Sequence, residues 1–196
     1  MDGLGHVIEV EKDDSGGSPV AYADTSYYGT GAVHTVSNPY LSTPDGTTTY
    51  AYDGLGRTTI QTQPDSTTLR WCYNNVASAG ATNCLPNKSN KSHVNWVDFS
   101  DEAGNHSQRV SDGLGHMVAV MEPNDSNVPA LQTDYTFDGL DNLTEVDQWG
   151  GSPSGPNAGA AVKRTFAYDS LSRILAANNP ESGQINYAYS NGSSLC

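Results

Sequence analysis

Carboxylates in pairs hydrolyse glycosides, and this sequence repeats an aspartate in one local frame six times. The six are Asp2, Asp53, Asp101, Asp112, Asp138 and Asp169. Every copy carries one, so the pattern singles out no pair. A turn role fits better, because an Asp side chain accepts backbone N–H groups two residues on. Of the five His, His6 and His116 fill a repeat column that Arg57 and Arg173 also fill, which a general base could not share with arginine. His34, His93 and His106 lack a Cys or carboxylate frame with metal spacing. Neither a Gly-x-Ser-x-Gly elbow nor an Asp-x-Asp-x-Asp-Gly loop occurs. The expectation is therefore no catalytic residue, no cofactor, no metal and no enzyme. Three indoles, Trp71, Trp96 and Trp149, are candidate glycan contacts, since aromatic faces stack on sugar rings. Cys72 and Cys84 bracket a short polar stretch. Two readings stand for them: a disulfide in an oxidising compartment, worth ~3 kcal/mol in the chain-entropy model, or two unpaired thiols. Cys196 is left over by count.

The frame that positions the aspartates is a repeat. Asp-Gly-Leu-Gly followed by His or Arg occurs unchanged at Asp2–His6, Asp53–Arg57 and Asp112–His116, with weaker copies beginning at Asp101, Asp138 and Asp169. The fourth position is Gly5, Gly56, Gly104 and Gly115, then Asp141 and Ser172. That choice suits a backbone requirement for positive φ, which Gly meets freely, Asp tolerates and Ser meets less easily. An aromatic often precedes the Asp, as at Tyr52, Phe137 and Tyr168. A proline follows eleven residues later at Pro64, Pro123 and Pro180, each opening a polar turn, and Pro44-Asp45-Gly46 belongs to a decayed copy. Tyr50 and Tyr52, like Tyr187 and Tyr189, share a strand face. Apolar residues recur five and eight positions after the Asp, as Met117 and Val120 or Leu143 and Val146. Three apart breaks strict alternation and calls for either a bulge or burial on two sides. Each unit is a β-hairpin. The fold class is all-β: consecutive antiparallel β-hairpins forming a curved or spiralling ribbon across residues 1–196. Spacings of 51, 48, 11, 26 and 31 between markers point to inserts, with a polar insert loop at 73–95 and a Gly/Pro/Ser-rich loop at 150–160. Asp13–Ser18, Ser78–Asn95 and Gly150–Gly159 read as exposed excursions.

Composition agrees. The chain of 196 residues has 11 Tyr and many Thr and Val, which suit pleated surfaces, with 20 Gly and 10 Pro between them. Its net charge is −13, spread evenly and without a basic patch, which excludes nucleic acid and an anionic membrane surface as partners. No apolar run approaches the ~20 residues of a membrane span. The sequons at Asn87, Asn90, Asn105, Asn124, Asn142 and Asn191 are what chance gives in a chain rich in Asn, Ser and Thr.

Tyr-Asp-Gly-Leu-Gly-Arg with a later Pro-Asp turn and a Tyr-x-Tyr strand resembles the YD repeat of RHS and teneurin-like proteins. The best copy is Tyr50 to Ser66, and Tyr168 to Gly183 is next. The resemblance implies a long hairpin ribbon wound into a hollow shell around a toxin or other cargo, in a secreted or cell-surface, bacterial setting, with carbohydrate binding in some members. No Asp-Pro dipeptide occurs, so the family's self-cleaving core is not expected here; Met1 leads straight into Asp-Gly-Leu-Gly, and for an interior piece of the ribbon a signal peptide is expected upstream of these residues. The expected function is a structural segment of such a protein. A carbohydrate-binding surface and a self-assembling fibre are the alternatives. Expected partners are flanking repeats of the same polypeptide or other copies through open β-edges, and polysaccharide in the second reading.

Overall fold

A computed structural model describes residues 1–13, 16–17, 19–74, 84–150 and 161–189. Among these there is no helix. Fourteen strands form in chain order: β1 (Glu9–Asp13), β2 (Pro19–Tyr27), β3 (Val33–Ser37), β4 (Thr47–Tyr52), β5 (Thr58–Thr62), β6 (Thr68–Tyr73), β7 (Asn95–Ser100), β8 (His106–Ser111), β9 (Met117–Pro123), β10 (Pro129–Phe137), β11 (Leu143–Gln148), β12 (Val162–Tyr168), β13 (Ile174–Asn179) and β14 (Gly183–Asn186). Their hydrogen-bonded order is the chain order, in one open antiparallel sheet. The expected all-β series of hairpins is what the chain forms. No strand carries a long apolar run. Thr, Val and Tyr on short strands supply the β-branched and aromatic surface instead.

Contacts divide the chain into two compact units. Unit 1 is Met1–Leu85 with Phe99–Gly104, and unit 2 is Pro86–Asp98 with Asn105–Cys196. In unit 2 the densest packing lies across β8, β9 and β10. Met121 pairs with Gln108 on one side and Gln132 on the other, and all three are fully buried. Two residues along, Ala119 pairs with Val110 and Asp134 on the same face, as a two-residue period requires. Pro86–Val94 lies over this face. Gln108 Nε2 donates to the Pro86 carbonyl at 2.9 Å, and its Oε1 accepts the Lys88 N–H at 2.8 Å. Gln132 Nε2 donates to Asn90 Oδ1 at 2.8 Å, and Lys91 Nζ lies 3.3 Å from Asp134 Oδ1. The sequence reads this stretch as an exposed excursion; Pro86, Lys88, Asn90, Ser92 and His93 are exposed, yet the stretch is fastened to the sheet and does not stand free of it. Buried glutamines fasten it to the sheet, because a buried amide must find partners. Most of the other two excursions lies outside the described residues.

In unit 1 the buried side chains are Cys72, Thr59 and Ser37. Cys72 and Cys84 form a disulfide with Cα atoms 5.6 Å apart. Gly46 lies where a Cβ would come within 2.6 Å of Pro64 Cβ, a close approach that admits only glycine.

Register resolves the three-apart apolar spacing. Ser111 pairs with Met117 but Val110 pairs with Ala119, which leaves Val118 as an extra residue. The same shift leaves Thr59, Thr144 and Leu175 extra, each six positions after a marker Asp. The bulge brings positions five and eight onto one face. Met117 and Val120 therefore pair with Ser111 and Arg109, which are themselves two apart.

Candidate functional site

The repeated turn has one geometry, seen fully at Asp53. The Asp53 N–H donates to the Arg57 carbonyl at 2.9 Å, and the Gly56 N–H to the Asp53 carbonyl at 3.0 Å. That is a type I turn followed by a left-handed residue, the three-residue hairpin loop with its adjoining bulge. The fourth residue has φ of +85° at Gly5, +76° at Gly56, +80° at Gly104, +93° at Gly115, +65° at Asp141 and +59° at Ser172.

The aspartate buttresses this loop with both oxygens. Asp53 Oδ1 accepts the Leu55 and Arg57 N–H groups at 2.9 and 3.0 Å, and Oδ2 accepts Arg57 Nε at 2.7 Å. Asp2, Asp112, Asp138 and Asp169 repeat all three bonds, with His6, His116, Asn142 and Arg173 in place of Arg57. These bonds hold the five carboxyls below the usual carboxylate range. The Arg57 side chain leads at Asp53, the Asn142 side chain at Asp138, and the backbone N–H of the fifth residue at Asp2 and Asp169. At Asp112 burial pushes upward most, and the His116 and backbone bonds together outweigh it. A glycosidase acid must instead hold its proton near neutrality. Five ionised, fully hydrogen-bonded carboxylates are anchors of backbone.

Aromatic side chains clamp the turns. The Tyr27 ring stacks under His6 at 4.5 Å between centroids, and its hydroxyl donates to the Val7 carbonyl at 2.9 Å. Arg57 lies 4.0 Å over the Tyr73 ring, whose hydroxyl donates to Thr58, and Arg173 lies 4.6 Å over Tyr189, whose hydroxyl donates to Ile174. His116 stacks on Phe137 at 4.7 Å. Each ring thus covers the fifth residue of a turn, and each tyrosine also bonds the sixth. His116 further contacts Asp141 at 3.1 Å, and its imidazole is raised above the usual histidine range, chiefly by the Asp112 hydrogen bond.

The turn is commoner than its Asp. Tyr28–Ala32 has the same two backbone bonds and Gly31 at φ +85°, with a tyrosine in the first position. Gln63–Thr67 and Asn124–Val128 have them too, with Ser66 at +71° and Asn127 at +61°. The proline marker therefore shifts role: Pro64 is the second residue of its turn, whereas Pro123 precedes its turn. β8 begins after turn 101–105 and ends at turn 112–116, so these two turns cap opposite ends of one strand. The spacing of 11 between Asp101 and Asp112 is the length of that crossing. The frame at Asp101 belongs with the proline edge. A glycine at the fourth position, Gly31, was the sequence signal for the copy at Tyr28–Ala32 that carries neither Asp nor Pro.

The other candidates are not gathered into a site. Trp71 packs against Phe99 at 5.3 Å, Trp149 Nε1 donates to Asp134 Oδ2 at 3.2 Å, and neither they nor Trp96 are among the exposed large apolar side chains. His106 Nδ1 meets the buried Asp98 at 3.0 Å, and Gln108 holds the other Asp98 oxygen at 3.1 Å. Among the described residues no group of three or more His, Cys, Asp or Glu is placed to hold a metal. Asn87 and Asn142 use their amide nitrogens on Lys91 and Asp138, Asn90 accepts from Gln132, and Asn124 caps its turn. Asn191 and Cys196 lie outside the described residues. On β11, burial and then Glu145 push Asp147 upward, while Lys163 pulls Glu145 downward.

No family model and no curated protein matches the sequence. Solved structures do match. One is the crystal structure of TcdB2-TccC3-Cdc42, with a TM-score of 0.54 and 12% identity over 95% of this chain and 10% of that one. At such identity the likeness is one of fold alone. This chain spans about a tenth of that chain's length.

Proposed function

We propose that this chain is a wall segment of a secreted or cell-surface RHS-type repeat protein, acting as scaffold around cargo or at a surface. The observation that carries the reading is the chain-order antiparallel sheet, with one turn reused at both of its edges. Such a strip stabilises itself through near neighbours and extends by adding hairpins. The fold likeness to a tenth of a far longer chain supports it, as does the Tyr-Asp repeat. The Cys72–Cys84 disulfide favours an oxidising compartment. The anchored carboxylates favour a structural over a catalytic role. The test is to read the coding sequence on both sides, express the whole polypeptide and image it by negative stain. Further Tyr-Asp repeats and a hollow particle are expected. Stop codons close on both sides, or a filled particle, would sink the shell reading.

A further inference from the structure

The third position of the repeat turn holds a side chain the turn does not use. Leu4, Leu55, Leu114, Leu140 and Leu171 are 78, 79, 83, 61 and 71% exposed. At the opposite edge the same left-handed turn carries Asp65, Ala103 and Ser126 at that position. Backbone geometry is shared and the side chain differs, so leucine marks an edge and is not a turn requirement. Repeated exposed apolar tips are the mark of an interaction surface.

The edge also carries places to receive such tips. In unit 2, turns 112–116, 138–142 and 169–173 follow one another two strands apart, which sets Leu114, Leu140 and Leu171 in a row with a period of ~9.5 Å. A groove of about 550 Å³ runs beside this row, its apolar wall formed by Val94, Leu114, Val118, Tyr135 and Phe137 and its polar wall including Lys91, His116, Asp112 and Asp138. In unit 1 the row lacks a leucine at Thr30. There a groove of about 710 Å³ opens between turns 28–32 and 53–57, lined by Tyr28, Ala32, Ala51 and Tyr52.

Charge selects the occupant. The chain carries −13, so copies repel over most of their surface. At this edge Asp53 and Asp169 are matched by Arg57 and Arg173 at 2.6 and 2.7 Å, Asp2 and Asp112 meet His6 and His116 at 2.8 and 3.0 Å, and Asp138 is bonded by the uncharged Asn142. A basic partner would find the two arginine-matched carboxylates taken, and an equally acidic copy meets no unpaired charge from Asp53 and Asp169. Within each unit, leucine tips and a groove lie on the same edge and are self-complementary, as a two-fold contact between identical surfaces requires.

We propose that the Asp-Gly-Leu-Gly edge is a self-association surface, in which leucine tips of one copy seat in the grooves between the turns of a second copy. This holds independently of the shell reading. Sedimentation velocity of the whole chain over a concentration series tests it. The wild type is expected to form a reversible dimer. Leu55→Ser, Leu114→Ser, Leu140→Ser and Leu171→Ser combined should weaken association at least tenfold with an unchanged thermal midpoint, since Ser126 already occupies this position in a folded turn. Thr30→Trp, which fills the unit 1 groove without touching a leucine, should weaken it as well and serves if the quadruple variant folds poorly. A wild type that stays monomeric to its solubility limit overturns the proposal. So does undiminished association of a folded quadruple variant, or of folded Thr30→Trp where the quadruple variant fails to fold. Loss of association in Ile185→Lys, on the exposed edge strand β14, would also overturn it, by moving the contact to strand pairing.

Discussion

A type I turn closed by a left-handed residue makes separate demands on its first and fourth positions. The first gains where its side chain accepts backbone N–H groups, which Asp does with one oxygen and Asn124 repeats on Ser126 and Val128, although Tyr28 and Gln63 also open this turn. The fourth must accept φ near +60 to +90°, where a side chain other than Gly is strained. Ser172→Gly should therefore raise stability by ~1 kcal/mol and Gly115→Ala should lower it by ~1–2 kcal/mol in urea titrations. Equal effects from the two would remove the backbone explanation. This demand was legible in the sequence, because Gly, Asp and Ser at one position rank as the backbone ranks them. The clamp on the fifth residue was not, since Tyr27, Tyr73 and Tyr189 reach their turns from 15–21 residues away. The His116 version of that clamp gives a pH signature. Its pKa is raised in the fold by the Asp112 bond, so its stabilisation is complete below the ordinary value of about 6.5 and fades as pH rises through the folded value. The marker aspartates run the other way: their pKa values are lowered, so their contribution holds above about 4 and is lost on acidification through the folded values. The melting temperature of wild type should thus fall relative to His116→Gln between pH 6 and 8, in scanning fluorimetry. A difference that does not vary with pH would show that the imidazole charge contributes nothing.

Between residues and whole chain, the hairpin is the element that repeats, and its bulge is what makes the repeat odd to read. A spacing of three between apolar residues is ambiguous by itself, and the register of Ser111 with Met117 and Val110 with Ala119 decides it. The existence of strands was legible from Tyr-x-Tyr and the Thr-rich runs. The placement of Asp101 at the far edge was not, because a turn has the same sequence needs at either end of a strand. Pro86–Val94 was illegible for a different reason: its polar residues look solvated, yet Gln108 and Gln132, at least 14 residues away, supply their partners. Gln108→Leu should cost about 2–3 kcal/mol, since it strands the Lys88 N–H and takes a donor from buried Asp98. Hydrogen exchange at 86–94 should accelerate in that variant while turn 53–57 stays as it was. Unchanged exchange at 86–94 would mean that other contacts hold the segment.

At the scale of the molecule, the two units are stabilised by different means. Among the described residues Val110, Ala119, Met121 and Ala177 are buried in unit 2, while the buried apolar side chain of unit 1 is Cys72, half of the disulfide. A domain with little buried apolar surface leans on covalent staples. The sequence put Cys72 and Cys84 together without deciding between bond and free thiols, since spacing alone carries no geometry. With the bond formed, the loop it closes restrains the unfolded chain by ~3 kcal/mol. In a strip where each hairpin is held by its neighbours, such a loss stays near its origin. Reduction should therefore act unevenly. With a thiol reductant present, amides of β4, β5 and β6 should lose protection in hydrogen exchange, and those of β8, β9 and β10, above buried Met121, should keep theirs. Cys72→Ala with Cys84→Ala should reproduce the pattern without reductant. Protection lost equally across all six strands would mean that the chain unfolds as one cooperative body, and that the staple supports the whole sheet and not its own unit.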